Sequence, residues 1–166
     1  MEIKVTFEDL VLPDVYSKKA IDTEHGMAAQ SFPFEVVNVP EAAKTLAWTF
    51  VDMDSIPVCG FAYIHWVVAN VPANQTSIPA DFARREAVFT KGSNSLVSKF
   101  LNQDFGGLVH RYIGPKPPDK DHLYTLTVYA LDADLDLTEG FFMNELLHAM
   151  EGHVLAEAHI DLLGKY

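Results

Sequence analysis

Two aspartates and a histidine are the first residues in the sequence whose types and spacing could do chemistry. Asp52 and Asp54 follow the apolar run 46–51, and His65 lies midway along the next apolar run. A turn between the runs can bring an aspartate to the imidazole, which favours the imidazolium and raises the pKa of the histidine. A protonated histidine can hold an anion. The alternative is a solvated turn carboxylate beside a histidine that is simply buried.

A proline-rich loop provides the second group of candidate residues. The loop covers residues 112–118 and is followed by His122 and Tyr124. Gly114 lets the backbone approach a ligand closely, and the N–H groups of such a loop can cradle an anion. The histidine and the tyrosine add side-chain donors. The alternative is a stiff surface loop beside a packed aromatic side chain.

Patterns for metal binding are weak. His148, His153 and His159 are five and six residues apart, so no two of them stack on one face of a helix. This spacing does not match the sets of ligands that hold zinc. We therefore expect neither a metal ion nor another cofactor.

Patterns for catalysis are also weak. The sequence has no G-x-S-x-G motif, no glycine-rich phosphate-binding loop and no dinucleotide fingerprint. Cys59 lies six residues from His65, but this spacing fixes no geometry between them. A hydrolase in which Asp52 supports His65 or His122 as a general base is the third-ranked alternative. We expect a binding protein and not an enzyme.

The charge of the chain limits the partners that it can have. It has 12 Lys and Arg residues against 23 Asp and Glu residues, a formal net charge of −11. Nucleic acids and anionic membranes need basic patches, so neither is an expected partner. An anionic ligand then depends on local donors, namely backbone N–H groups, His65 and His122, with Lys116 and Arg111 on the same loop.

The sequence also indicates a compartment. The first residues lack a basic stretch followed by an apolar core, and no apolar run approaches the roughly 20 residues of a membrane span. The single cysteine suits a reducing environment. These features predict a cytoplasmic location and no insertion into a membrane.

The hydrophobic pattern predicts one mainly β domain over residues 1–166. β-branched and aromatic residues predict strands near 3–7, 34–39, 46–51, 61–69 and 123–131, and weaker ones near 87–90 and 108–112. In the fourth of these runs, alternation places five residues on one face, namely Phe61, Tyr63, His65, Val67 and Ala69. Both faces are apolar, so the run predicts a central strand with a buried histidine.

The end of the chain predicts a helix. From Asn144 onward, apolar residues recur at spacings of three and four, which indicates one face of an amphipathic helix. These residues are Leu147, Met150, Val154, Ala158 and Leu162. Gly164 is a suitable stop for that helix.

Four stretches, in the right order, resemble the motifs of the phosphatidylethanolamine-binding proteins. The last of them resembles the C-terminal helix of the prokaryotic, Raf kinase inhibitor-like branch. The resemblance covers about residues 15–166. The stretches are Ser31-Phe32-Pro33, the run 52–72 with its Gly60-Phe61 and His65-Trp66 pairs, the run 112–124 with Gly114-Pro115 and His122-x-Tyr124, and the run 152–166.

The resemblance implies a large central β-sheet packed with a smaller sheet, and few helices, including a C-terminal one. It implies a pocket for phosphate, phosphorylethanolamine and similar anions. The residues that would line this pocket are Asp52, His65, Gly114, His122 and Tyr124, with Pro57 and Pro117 shaping its rim. It also implies a homodimer, and an inhibitor of a kinase or a protease is the second-ranked function.

The chain departs from the family pattern at the expected pocket. Met53 replaces the first proline of the motif, and the second proline appears one residue late, as Pro57. Leu123 replaces an arginine between the histidine and the tyrosine, which removes a positive charge. These departures affect the ligand that the pocket takes more than they affect the fold.

Overall fold

The computed structural model describes residues 1–85 and 89–166, and most of their regular structure is β. The strands are β1 (Glu2–Lys4), β2 (Thr23–Glu24), β3 (Met27–Ala28), β4 (Phe34–Val37), β5 (Thr45–Asp52), β6 (Tyr63–Pro72), β7 (Ser77–Ile78), β8 (Thr90–Lys91), β9 (His122–Leu131) and β10 (Val154–Gly164). The α-helices are α1 (Ile56–Cys59) and α2 (Met143–Ala149). Short 3-10 helices cover Glu8–Leu10, Asp14–Tyr16, Phe82–Arg84, Ser95–Val97, Lys99–Leu101 and Gly106–His110.

The predicted large and small sheets are both present. The large sheet is antiparallel with the strand order β10-β9-β5-β6-β8, and the small sheet has the order β1-β4-β7. The central strand, β5, is buried along its whole length. Its last residue, Asp52, lies opposite Tyr63 on β6 and Tyr124 on β9. The end of β5 and the beginnings of β6 and β9 therefore meet at one edge of the sheet.

Apolar side chains cover both faces of the large sheet, which explains why its central strands read as continuous hydrophobic runs. On one face, Trp48 and Trp66 pack against Phe34 of the small sheet, with ring centroids 5.4 and 6.3 Å from that of Phe34. On the other face, Ala47 and Val67 belong to a second core. That second core also includes residues of the chain beyond β9, namely Leu135, Phe141, Leu146 and Met150.

A β-bulge in β6 makes the prediction of its faces wrong. Phe50 lies opposite Trp66 while Val51 lies opposite Ile64, so His65 is an extra residue without a partner on β5. Such a bulge shifts the side-chain alternation by one residue. Val67 and Ala69 therefore face the second core. The His65 ring instead turns to the opposite face, where it contacts the rings of Phe50 and Tyr124 at centroid distances of 5.9 and 5.1 Å.

The predicted C-terminal helix is present but much shorter than the pattern indicated. It ends at Ala149, and residues Val154–Gly164 form the edge strand β10. Gly152 has a φ of +79°, which favours glycine and reverses the chain between the two elements. The spacing of four between Ala158 and Leu162 is an even number, so it also places these two residues on one face of a strand. A β-bulge between Val154 and Ala156 shifts Val154 out of that alternation.

Two weaker strand predictions have different outcomes. The strand predicted near 108–112 is wrong, because Gly106–His110 forms a 3-10 helix. The side chain of Asn94 donates to the carbonyl oxygens of Leu108 and Arg111 at 2.7 and 2.8 Å, so these groups need no partner strand. Of the strand predicted near 87–90, residues 87 and 88 lie outside the described residues, and Thr90 begins β8.

None of the helices in residues 1–85 and 89–166 has the length and the apolar run that crossing a lipid bilayer requires.

Candidate functional site

A cavity of about 260 Å³ opens where β5 ends and where β6 and β9 begin. Its volume lies near the lower end of the range for small-molecule sites, about 300–1,000 Å³, so it suits a small ligand. The cavity is lined by Met27, Asp52, Ser55, Val58, Cys59, Tyr63, His65, Lys116, Pro118, His122 and Tyr124.

A short turn after β5 fixes the buried carboxylate of Asp52. The backbone N–H of Ser55 donates to Asp52 Oδ1 at 3.0 Å. The hydroxyl of Ser55 lies within hydrogen-bond distance of the carbonyl oxygens of Asp52 and Phe61, at 2.7 and 2.8 Å. Helix α1 follows directly, and its Val58 and Cys59 form one wall of the cavity. The turn therefore points one oxygen of Asp52 at its own backbone and leaves the other for a side-chain partner.

That partner is His122, which lies between two carboxylates. Its Nδ1 is 2.8 Å from Asp52 Oδ2, and its Nε2 is 2.9 Å from Asp119 Oδ1. Carboxylates accept hydrogen bonds, so the ring donates from both nitrogens and is an imidazolium. Burial by itself would lower the pKa of His122, but the hydrogen bonds to Asp52 and Asp119 outweigh it and raise that pKa above its ordinary value.

His65 is the neutral histidine of the site. Its Nδ1 lies 2.8 Å from the carbonyl oxygen of Ile113, and because a carbonyl only accepts, Nδ1 carries the proton. Burial lowers the pKa of His65 to about 4, although the hydrogen bond to Ile113 and the charge of Asp52 act in the opposite direction. The second nitrogen, Nε2, is then a bare acceptor on a ring that lines the cavity.

The predicted contact between an aspartate and His65 is therefore wrong. Asp52 reaches His122 on β9, and the pKa of His65 is lowered and not raised. Asp52 and His122 sit on neighbouring strands and point to the same face, whereas His65 enters that face only through the bulge in β6.

Two tyrosines complete the polar part of the cavity. Burial, and then the negative charge of Asp52, raise the pKa of Tyr124 far above its ordinary value. Burial also raises the pKa of Tyr63. Both phenols keep their protons at neutral pH and can therefore donate hydrogen bonds, that of Tyr124 to Asp52.

The predicted site residues fall into two groups. Asp52, His65, His122 and Tyr124 come together at the cavity. The other four do not line it: Asp54, Pro57, Gly114 and Pro117.

Each of these four residues has a different place in the structure. Asp54 accepts a hydrogen bond from the backbone N–H of Leu123 at 2.9 Å and ties the turn to β9. Pro57 is an exposed residue near the start of α1. Pro117 is buried, and its carbonyl oxygen accepts from Lys18.

Gly114 is a packing residue and not the anion cradle that the sequence indicated. Its N–H donates to the carbonyl oxygen of Ala28 at 2.7 Å, so this donor is already used. A Cβ atom built at this position would lie 2.5 Å from the carbonyl oxygen of Tyr16 and 2.6 Å from the Cβ of Ala28. Gly114 thus brings the proline-rich loop into close contact with two other backbone segments.

Sequence reasoning missed Asp119 and Ser55 as members of the site, whereas Lys116, named from the sequence as a positive charge on the loop, does line the cavity. Ser55 was readable as a turn residue, because Asp-x-x-Ser is a common pattern for a side chain that caps its own turn. Asp119 lies three residues before His122 in a segment with no regular structure, so no periodicity indicated that the two side chains meet.

The fold and the site together define a known class of protein, the phosphatidylethanolamine-binding protein family. The model of that family matches residues 5–164, so the chain belongs to it. The uncharacterised protein YxkA of Bacillus subtilis is 47% identical over 157 residues, which cover 93% of this chain and 94% of that protein.

Two solved structures support the same assignment. The structure of CT736 from Chlamydia trachomatis, described as a putative member of this family, matches with a TM-score of 0.78 at 27% identity, over 99% of this chain and 95% of that one. YbcL from Escherichia coli, described as a new member of the mammalian family, matches with a TM-score of 0.72 at 26% identity, over 94% and 91% of the two chains.

The packing at Gly114 gives a first testable expectation. Gly114→Ala forces a methyl group against the backbone of Tyr16, so we expect it to lower the free energy of unfolding by about 1–3 kcal/mol. Gly107→Ala is the matched control, because a Cβ there meets nothing within 4 Å. Urea denaturation of both variants checks this expectation, and equal stability of the two would contradict it.

The pair of Asp52 and His122 gives a second expectation. Asp52→Asn removes the charge behind the imidazolium, so the pKa of His122 falls, and the free energy of unfolding drops by about 1–3 kcal/mol because a buried charged hydrogen bond is weakened. NMR titration of the His122 ring measures the first effect. Asp54→Asn is the control, since Asp54 bonds to a backbone N–H and not to a histidine. A pKa of His122 that is unchanged in Asp52→Asn would show that the pair does not set its charge.

Proposed function

We propose that this chain is a binding protein that holds a small anionic, phosphate-like group in the cavity, without turning it over. One observation carries the proposal. His122 is held as an imidazolium by Asp52 behind it, and its Nε2 binds a carboxylate oxygen of the exposed residue Asp119. The imidazolium of His122 is thus a charged donor at the floor of the cavity. It is reached from the solvent side, and it already binds one oxyanion, the carboxylate of Asp119.

The neutral His65 adds a requirement for the ligand. With Nδ1 bonded to Ile113, its Nε2 accepts a hydrogen bond and does not donate one. A ligand that complements both histidines has an anionic oxygen for His122 and an O–H group for His65. At neutral pH, phosphate has both, because it keeps at least one proton, whereas sulfate has none. Inorganic phosphate therefore fits better than sulfate, and a phosphate monoester, whose second pKa is about 6, meets both requirements only below about pH 6.

The overall charge of −11 does not prevent this binding. Interactions between exposed charges are largely screened beyond about 8–10 Å at physiological ionic strength, whereas a buried donor acts at contact distance. Lys116 lines the same cavity and adds a positive charge at its exposed side. The local donors thus oppose the field of the distant acidic residues.

The hydrolase alternative fits the site poorly. A general base needs a free lone pair, but both nitrogens of His122 donate to carboxylates. His65 has a free lone pair, but its pKa of about 4 makes it a weak base at neutral pH. A protein that binds without catalysis is the function that these protonation states favour.

The discrimination between phosphate and sulfate tests the proposal. By calorimetry at neutral pH we expect phosphate to bind at least about tenfold more tightly than sulfate, because only phosphate keeps an O–H group that can donate to His65. His65→Ala should weaken the binding of phosphate and make the affinities for phosphate and sulfate similar. The control His159→Ala changes an exposed histidine on β10 and should behave like the wild type. Equal affinities for the two anions in the wild type would remove the role given to His65.

The pH dependence tests the role of His122. Its raised pKa means that the imidazolium is present below that pKa and is lost as the pH rises through it, so the affinity for phosphate falls on the alkaline side. The groups that face this ring are Asp52, Asp119, Tyr124, His65 and Lys116. An affinity that stays constant from mildly acidic to alkaline pH, after correction for the ionisation of phosphate, would contradict the proposal.

A second candidate function is binding of a protein partner, such as a kinase or a protease that the chain would inhibit. Large apolar side chains are exposed around the end of β5, α1 and the start of β9, next to the cavity. They are Met53, Ile56, Val58, Phe61 and Leu123. Such a patch is typical of an interaction site when its members are contiguous.

Inhibition assays distinguish this second candidate. If partner binding is the function, the wild type inhibits a member of a panel of proteases and kinases, and Phe61→Ser combined with Leu123→Ser loses that inhibition. Leu155→Ser is the matched control, because this exposed leucine lies at the opposite end of the large sheet from the cavity. No inhibition by the wild type, together with saturable phosphate binding, would reject the second candidate.

A further inference from the structure

Asp119 occupies the one nitrogen of His122 that faces the solvent side of the cavity. Its side chain is about half exposed, and its Oδ1 lies 2.9 Å from His122 Nε2. Among the described residues no other side chain forms a hydrogen bond or an ion pair with it. The carboxylate therefore stands where the oxygen of a bound anion would have to lie.

We propose that Asp119 is a specificity-determining residue that acts as a built-in competitor for the anion site. This inference rests on the proposed function of the same cavity. An incoming anion has to displace the carboxylate of Asp119 from His122. The site then rejects anions whose interactions with His122 are no stronger than those of the Asp119 carboxylate.

The rejected class is the simple monocarboxylates. An acetate ion would exchange one carboxylate for another, and the tethered group competes at an effective concentration that reaches about the millimolar range for short linkers. A phosphate group gains more from the exchange. It brings further charged oxygens to His122 and Lys116, and an O–H group to Nε2 of His65.

The surrounding loop allows Asp119 to leave without unfolding. On one side, the carbonyl oxygen of Pro117 is held by Lys18 at 3.2 Å. On the other side, Asp121 is held by Lys165 and by the backbone N–H of Tyr166, at 2.8 and 2.9 Å. Asp119 lies at the exposed tip between these two anchors, so rotation of its side chain is sufficient to free His122.

Removing the carboxylate tests the inference. At mildly acidic pH, where Asp52 keeps His122 charged without the hydrogen bond to Asp119, Asp119→Asn should bind phosphate about threefold to tenfold more tightly, since an exposed charged pair no longer has to be broken. It should also bind acetate measurably where the wild type does not. Asp121→Asn is the matched control. It removes the same charge only two residues away, and the carboxylate of Asp121 forms its hydrogen bonds outside the cavity. It should bind both anions as the wild type does.

The outcomes separate the two proposals. Phosphate binding to the wild type that is unchanged or weaker in Asp119→Asn would overturn the competitor role and leave the anion site standing. A gain that is equal in Asp119→Asn and Asp121→Asn would also overturn it, because the effect would be one of net charge. No phosphate binding to either the wild type or Asp119→Asn would reject the anion site and the competitor with it.

A direct measurement follows the carboxylate itself. In the wild type, saturating phosphate should move the carboxyl ¹³C signal of Asp119 to that of a free exposed aspartate, while the signal of Asp121 stays in place. An Asp119 signal that does not move at saturation would show that the ligand binds without displacing it, and the inference would be wrong.

Discussion

The buried carboxylate of Asp52 is the constraint on which the site depends. Taking an ionised carboxylate out of water is costly unless a charge and hydrogen bonds compensate for it. Here the compensation comes from the Ser55 N–H and from His122. Both partners lie at element boundaries, so the end of β5 and the beginning of β9 must meet at this edge of the sheet. The turn, helix α1 and the proline-rich loop are then arranged around one ion pair.

Two histidines of the same cavity differ in charge, one positive and one neutral, because their hydrogen-bond partners differ. His122 faces two carboxylates, which accept hydrogen bonds and carry negative charge, whereas His65 faces one backbone carbonyl in an apolar environment formed by Phe50 and Tyr124. Environment, and not residue type, decides which imidazole is charged. The site therefore combines a charged donor with a neutral acceptor, which is the combination that a partly protonated oxyanion requires.

Much of this was readable from the sequence, and the misses have identifiable causes. The runs at 46–51, 61–69 and 123–131 predicted the three central strands, because strands covered on both faces are apolar throughout. The bulge at His65 was not readable, since one extra residue leaves no mark in composition. The histidine that pairs with Asp52 depends on strand order, which spacing does not give. The segment 154–164 was misread because a repeat of four fits both a helix and a strand.

If the cavity is the proposed anion site, the position of Asp119 gives an acidic protein a means of keeping that site selective. A positively charged pocket that stood open would attract any small anion, and carboxylates are abundant in every protein solution. A carboxylate from the same chain raises the affinity that a ligand needs, because each ligand must bind more strongly than a group that is always present. Asp52 and Asp119 both raise the pKa of His122, and Asp119 also covers its Nε2. In this proposal only a ligand that makes more contacts than a carboxylate reaches the imidazolium. The acidic loop, on the same proposal, takes part in the recognition of the anion and is not an obstacle to it.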